Sequence, residues 1–449
     1  MASAAPSESK FAANVIIIGA GVFGLSTALA IANRHPSTSV TVVDRCTPPV
    51  PDGSSVDTTR CIRWDYPDPI YAQLAKQSQL LIEQDPELSK HFFKRGMTFV
   101  CNGVPSRFTQ GWQDQYNLTK DLAQPEHLVD LPTRETLFQR IHGKDAKPLN
   151  RIVLGREPQW NVAYTNKEDA FIDAEAGIQV YYDRCLQYPS IRFRCGTEVD
   201  HINIDKGIAK GVVLADGSNL QSDMVIVAAG AWSSRLVSLG SRVYPIGHEV
   251  VWFKVTREEE MRWKAMSITT NDSTGLNIFP PYRGEVKVLR RSPGVKNSIT
   301  IPKPENRSET MEISYPRTLV TNPTDIIPAN AEAAIREDLR EIMPSLASRP
   351  FDRTKICWIS TTPTADFLIA PHPSVGGIHL ATGGSAHAWK FVPVLGDLVV
   401  DSIMGNLSKE LEDKWAFDKS GQSSDQAAPR MDGAPEELRD VVRTIQSHF

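Results

Sequence analysis

One glycine-punctuated stretch near the start of the chain restricts the fold more than any other feature. Val15 to Ile18 is an apolar run short enough for a buried strand, and it breaks directly into Gly19-Ala20-Gly21-Val22-Phe23-Gly24. A helical pattern follows from about Phe23 to Asn33, and then a second apolar strand, Ser39 to Val43, ends at Asp44. This is a β-α-β unit carrying G-x-G-x-x-G at its first turn. The first glycine permits the tight turn, the second lets the backbone approach a pyrophosphate, and the third lets helix and strand pack closely. The helix N-terminus offers N–H groups and a positive dipole to that pyrophosphate. Asp44, twenty residues past Gly24, is positioned to accept hydrogen bonds from ribose hydroxyls. The spacing therefore predicts an α/β nucleotide-binding domain with a site built from Gly19, Gly21, Val22, Phe23, Gly24, Asp44 and its neighbour Arg45. It does not by itself separate FAD from NAD, since both present the same ADP half.

A second stretch bears on that choice. Val225-Ile226-Val227-Ala228 is a buried strand that breaks into the small-residue turn Ala229-Gly230-Ala231-Trp232 after a hairpin whose first strand opens at Val199. A return to the same domain some two hundred residues later fits FAD better than NAD. Val199, Ala229, Gly230 and Trp232 thereby join the expected cofactor site.

Between and beyond these segments the pattern is uneven. Ile70 to about Gln84 and Ala170 to Leu186 read as helices, whereas about 96 to 165 is irregular mixed sheet and loop. Alternation over Val243 to Val255 gives a strand of a second sheet, and Ile278 to Leu289 gives a hairpin turning at Tyr282 to Gly284. Ala331 to Met343 and Pro393 to Met404 are helical, and Asp418 to Gly433 is a linker by composition. Leu438, Val441, Val442, Ile445 and Phe449 share one helical face, so the chain is expected to end in a docked helix with Pro435 near its start.

Composition limits the rest. Lys plus Arg number 49 against 53 Asp plus Glu, a formal charge of -4, which gives no reason to expect nucleic acid as a partner. No run approaches the roughly 20 apolar residues of a membrane helix, so no membrane association is expected. The six cysteines are scattered without zinc spacing, so no metal site is predicted and the thiols are expected to be reduced. Met1 to Lys10 has no apolar core of a secretory signal, and Ser447-His448-Phe449 is not a peroxisomal address; the expected location is the cytoplasm.

Three further motifs carry a family resemblance. They are Asp57-Thr58-Thr59-Arg60-Cys61-Ile62-Arg63-Trp64-Asp65-Tyr66, Cys357-Trp358-Ile359-Ser360-Thr361-Thr362-Pro363, and Gly383-Gly384-Ser385-Ala386-His387-Ala388-Trp389-Lys390. With them, from about Val15 to about Met404, the chain resembles the D-amino-acid-oxidase-like flavoenzymes, within them the group of monomeric sarcosine oxidase, fructosyl amino acid oxidases (amadoriases) and fungal saccharopine-oxidase-like enzymes. The resemblance implies a discontinuous Rossmann-like FAD domain (11–95, 165–240, 350–410) interleaved with a smaller mixed β-sheet substrate domain (96–164, 241–349), and a tail over 411–449. It implies FAD joined through Cys357 as an 8α-S-cysteinyl thioether, with Arg60 and Gly384 near the flavin. Arg63 and Lys390 would clamp the substrate carboxylate, Lys390 also bordering the cofactor. Lys287 would activate oxygen, and His387 would line the pocket.

The implied reaction is oxidation of a small-molecule secondary amine of amino-acid type by O2, by a monomeric enzyme, with hydrogen peroxide as product. Two departures bear on substrate. Ala386 and Ala388 stand where the family has glycine, which is uncomfortable wherever positive φ is required. Where amadoriases carry a glutamate for the sugar, in a Phe-Glu-Pro stretch, this chain reads Phe279-Pro280-Pro281. Saccharopine, an N-alkyl amino acid or a cyclic imino acid is therefore expected over a glycated amino acid. The alternatives are a fructosyl amino acid oxidase or a flavin dehydrogenase using another acceptor.

Overall fold

The computed structural model describes residues 11–418 and 431–444. The β-α-β unit forms as expected. Strands Asn14–Ile18 and Ser39–Asp44 pair in parallel, joined by the helix Val22–Arg34. Their apolar runs are buried because the sheet is covered on both sides, the usual position of parallel strands. The sheet has six strands in the order Leu368–Pro371, Ile378–Thr382, Met224–Val227, Asn14–Ile18, Ser39–Asp44, Ile191–Cys195, all parallel except the first. On one face helices Val22–Arg34, Pro69–Gln84, Ala174–Leu186 and Val392–Met404 share a continuous apolar core. On the other lies a three-stranded antiparallel sheet, Val199–Asp205, Ile208–Leu214 and Asn219–Gln221.

A second, ten-stranded mixed sheet is centred on the long strand Tyr244–Lys254. The expected hairpin pairs Leu276–Ile278 with Glu285–Arg290, turning at Tyr282 to Glu285. The segment 350–410 divides between the two sheets. Arg353–Thr361 pairs along Tyr244–Lys254, whereas Leu368–Pro371 and Ile378–Thr382 lie in the parallel sheet. The strand bearing Cys357 thus belongs to one layer and the loop bearing Lys390 follows the other.

Several local expectations need correction. Ala170 to Ile172 is a strand paired with both Arg60–Ile62 and Phe92–Lys94, and the helix begins only at Ala174, where the Asp173 side chain caps the Ala176 N–H. The stretch 96–165 holds the strands Met97–Cys101, Leu128–Leu131 and Val162–Asn166 and a 16-residue helix, Arg107–Leu122. That helix buries only Trp112, Gln115 and Thr119, so its inward face has little hydrophobic periodicity to read. A further helix, Lys409–Trp415, seats Trp415 fully in the core, its indole donating to Tyr71 Oη. The expected terminal helix is one turn, Leu438–Val441, and Val442 is extended. Arg443–Thr444 then pairs with Asp325–Ile326 while the Arg443 guanidinium bonds Ile327 O and Glu332, contacts that replace helix continuation. Ile445 and Phe449, and most of the expected linker, lie outside the described residues.

Candidate active site

The glycine turn sits at the C-terminal edge of the parallel sheet, where open α/β sheets bind ligands. Gly19 adopts φ 107°, and a Cβ there would stand 2.5 Å from Ala228 O. Gly24 presses on the turn itself: its Cβ would stand 1.8 Å from Gly19 O. The pocket beside them is lined by Gly19, Gly21, Asp44, Arg45, Val199 and the Ala229 to Trp232 turn. Val22 and Phe23 open the helix; the Val22 N–H donates to Ser55 Oγ at 3.0 Å. Phe23 packs edge-on against Phe367. Asp44 accepts from the N–H groups of Ala20 (2.8 Å) and Cys46 (3.0 Å), and burial raises its carboxyl above the usual range. Each oxygen retains acceptor capacity for a hydroxyl donor. Arg45 lies 4.2 Å from the Trp232 ring centroid and pairs with Asp52 at 2.5 Å, so these groups form one side of the mouth.

From this pocket the chain runs through Ser54 and Ser55 into a second cluster. Arg60 donates to Ser54 O (2.8 Å) and to the Asp57 carboxylate, and its guanidinium is 3.8 Å from Cys357 Sγ. Lys287, on Glu285–Arg290, is fully enclosed; it donates to Thr59 O at 2.5 Å and lies 3.3 Å from Asp57. Its ammonium also stands 4.2 Å from the Phe279 ring centroid. Burial lowers the Lys287 pKa to about 8 despite the opposing pull of Asp57. Burial also works against ionised Asp57, yet Lys287, Arg60 and Lys355 together hold its carboxyl far below the ordinary range. One carboxylate and three cations therefore share a largely buried cluster, an arrangement that favours an added negative charge.

A third cluster follows along the same segment. The Arg63 guanidinium is 4.6 Å from the Tyr66 ring centroid, and its Nη1 is shut from solvent without a hydrogen-bond partner. Lys390, 5% exposed, reaches within 5.6 Å of the same ring. His387 Nε2 faces Ala365 O at 2.7 Å and Nδ1 faces the Tyr66 hydroxyl at 3.0 Å. A carbonyl only accepts, so Nε2 carries the proton and Tyr66 O–H donates to Nδ1. The loop bearing these groups is tied back to the nucleotide side. Trp389 Nε1 donates to Ser55 O at 2.9 Å, and Gly384 packs so near Phe23 that a Cβ would lie 3.3 Å from its ring. Ala386 does take positive φ, 58°, as does Ser385 at 45°, while Ala388 opens the helical turn Ala388–Phe391. The conformation persists because Ser385 is held by Ser360 O, Gly383 O and the Thr362 N–H.

Segment 54–66 thus strings together a nucleotide pocket, a cation cluster beside Cys357 and a pair of cations about Tyr66. Asp57, Lys355 and Tyr66 were not singled out from the sequence. Asp57 and Tyr66 stood within a quoted motif, but only the fold discloses that Lys287, Lys355 and His387 reach them from distant parts of the chain.

The fold and the pocket define a dinucleotide-dependent enzyme of the flavin type. The family model for FAD-dependent oxidoreductases matches residues 14–402, and the chain belongs to that family. It is 27% identical over 418 residues to the L-saccharopine oxidase of Schizosaccharomyces pombe, covering 92% of this chain and 94% of that one. An amino acid oxidase of Aspergillus flavus is 24% identical, covering 90% of this chain and 97% of the relative. Among solved structures, the fructosamine oxidase Amadoriase II of Aspergillus fumigatus superposes with TM-score 0.82 at 23% identity, over 97% of this chain and 98% of that one. Among the described residues no single helix is long and apolar enough to cross a membrane.

Proposed function

We propose that this chain oxidises the C–N bond of a secondary-amine amino acid with molecular oxygen. The observation that carries this reading is the buried, unpartnered Nη1 of Arg63, whose guanidinium borders the same Tyr66 ring as the Lys390 ammonium. Two cations about one tyrosine ring, one with an unused donor, form a receptor for a carboxylate. A carboxylate held there fixes the α-carbon and amine in orientation, which is the protein's main contribution when a cofactor carries the chemistry.

FAD, when bound, supplies the two-electron acceptor and passes the pair on to oxygen as hydrogen peroxide. The glycine turn, Asp44, Arg45, Val199 and Ala229 to Trp232 would hold its ADP half; Arg60, Lys287 and Gly384 would border the ring. Cys357 would form the thioether, its sulfur 3.8 Å from the Arg60 guanidinium. The amine gives up a hydride from carbon and a proton from nitrogen, and water hydrolyses the resulting imine. Lys287 would stabilise the negative charge that develops as oxygen is reduced.

A saccharopine-type substrate is favoured. The relative matched at 27% identity is named for that substrate, and the Phe279-Pro280 stretch has no carboxylate for a sugar. We read the enzyme as a monomer of the cytoplasm. Steady-state peroxide production from saccharopine, N-methyl amino acids, proline-type imino acids and fructosyl amino acids tests the substrate. Turnover of a fructosyl amino acid faster than every other amine would overturn the preference, and dye reduction without peroxide would make the protein a dehydrogenase. Acid precipitation tests the linkage: yellow colour should stay with the pellet and leave it in Cys357→Ala.

A further inference from the structure

The buried cation cluster contains a residue to which neither the motifs nor the proposed reaction gives a role. Asp57 lies between three separate stretches of chain. Its carboxylate takes the Thr58 N–H at 2.7 Å and a charged hydrogen bond from Arg60, stands 3.3 Å from Lys287 Nζ, and is 4.0 Å from Lys355 Nζ. The Asp57 side chain is 1% exposed and that of Lys287 2%, so water screens neither.

We propose that Asp57 is a positioning residue for the oxygen step, the carboxylate counter-charge that keeps Lys287 protonated and anchored inside the cluster. This rests on the reading of Lys287 as the charge used in that step. Among the described residues, the titratable groups that act most strongly on Lys287 are Asp57, Arg60 and the Cys61 thiol from the 57–62 segment, and Lys355 from Arg353–Thr361. Among them only Asp57 is a carboxylate; Arg60 and Lys355 both disfavour a third positive charge. Burial already brings the Lys287 ammonium to a pKa of about 8. Without the carboxylate, two neighbouring cations and a dry environment would push the Lys287 ammonium further down, toward losing its proton near neutral pH. Its anchor to Thr59 O alone does not require charge.

The test uses the flavin-loaded enzyme and follows reoxidation of the reduced protein by oxygen as a function of pH. In the wild type the rate should fall as pH rises through about 8. In Asp57→Asn the midpoint should move down by about one unit or more, so that the rate lost at neutral pH returns on acidification; one unit is tenfold in protonation. Anaerobic reduction by substrate should change far less. A second readout needs no turnover: the binding of sulfite, an anion that adds to the flavin and bleaches it, should weaken with a pH midpoint near 8 in the wild type and about one unit lower or more in Asp57→Asn. Asp57→Glu should keep the wild-type midpoint. If Asp57→Asn fails to hold flavin, Lys355→Met serves, since removing a like charge should move the midpoint upward. A slower rate with an unmoved midpoint, or an unmoved midpoint in Lys355→Met, overturns the proposal. Unchanged reoxidation in Lys287→Met overturns the underlying reading of Lys287 instead, and is distinguishable because it is seen with Asp57 intact.

Discussion

Replacing the second and third fingerprint glycines by alanine should give two different failures. At Gly24 a Cβ meets Gly19 O at 1.8 Å, whereas real Cβ contacts are essentially never below 3.0 Å. The obstacle is backbone of the same turn, so the helix Val22–Arg34 must retreat by about 1.2 Å. That helix buries ten residues from Val22 to Ala32 against the sheet and its neighbours. A gap of 0.5–1 Å already forfeits a quarter to a half of a contact's dispersion energy, and overpacking costs about 1–3 kcal/mol or more. A loss of about 3 kcal/mol is therefore expected, against a total of about 5–15 kcal/mol for a domain. At Gly21 the Cβ meets Ser55 Oγ at 2.7 Å, the end of a side chain that can rotate away. Gly21→Ala should fold and melt close to the wild type but bind FAD at least about tenfold more weakly, through lost access to the backbone. Urea unfolding of the apoprotein and fluorescence titration with FAD separate the effects. If Gly24→Ala unfolds like the wild type, or if both variants lose FAD and stability equally, the assignment of separate tasks to the two glycines is refuted.

Three other outcomes are expected. Ala386→Gly removes a left-handed alanine that costs about 1–2 kcal/mol and adds unfolded-state entropy worth about 0.4–1 kcal/mol, so stability should rise by up to about 1 kcal/mol; lower stability in urea would show that φ 58° is not strained there. Lys287 is charged below its pKa of about 8 and neutral above it, so the oxygen step should slow as pH rises through 8 while amine oxidation quickens as bound amine loses its proton; stopped-flow half-reactions that both rise would contradict this. Tyr66→Phe removes the hydrogen bond to His387 Nδ1, about 1 kcal/mol, and should raise KM for an amino-acid substrate about fivefold with kcat nearly kept; a fall in kcat alone would move Tyr66 away from carboxylate positioning.

Legibility in the sequence followed the locality of the interactions. The β-α-β unit was readable because its apolar runs, glycines and terminal acid lie within thirty residues, each serving a neighbour in the chain. The hairpin around Tyr282 was readable for the same reason, its turn and both strands being contiguous. The helix Arg107–Leu122 was not, because its buried face is one tryptophan with polar residues. The terminal helix was over-read: Val441 and Val442 fit a helical face, but pairing of Arg443–Thr444 with Asp325–Ile326 offered the backbone just beyond them a better partner.

The sequence by itself determined the nucleotide-binding architecture and the residues that could serve the chemistry, since a glycine's freedom, an arginine's charge and a thiol's nucleophilicity belong to the residue type. Only the tertiary structure decided which of them act together. It brought Asp57 to Lys287 across 230 positions of chain and Tyr66 to Lys390 across 324, and enclosed both sets. Enclosure is the physical reason this matters: in water these charges would be screened and independent, whereas packed between two sheets each sets the charge and orientation of the next.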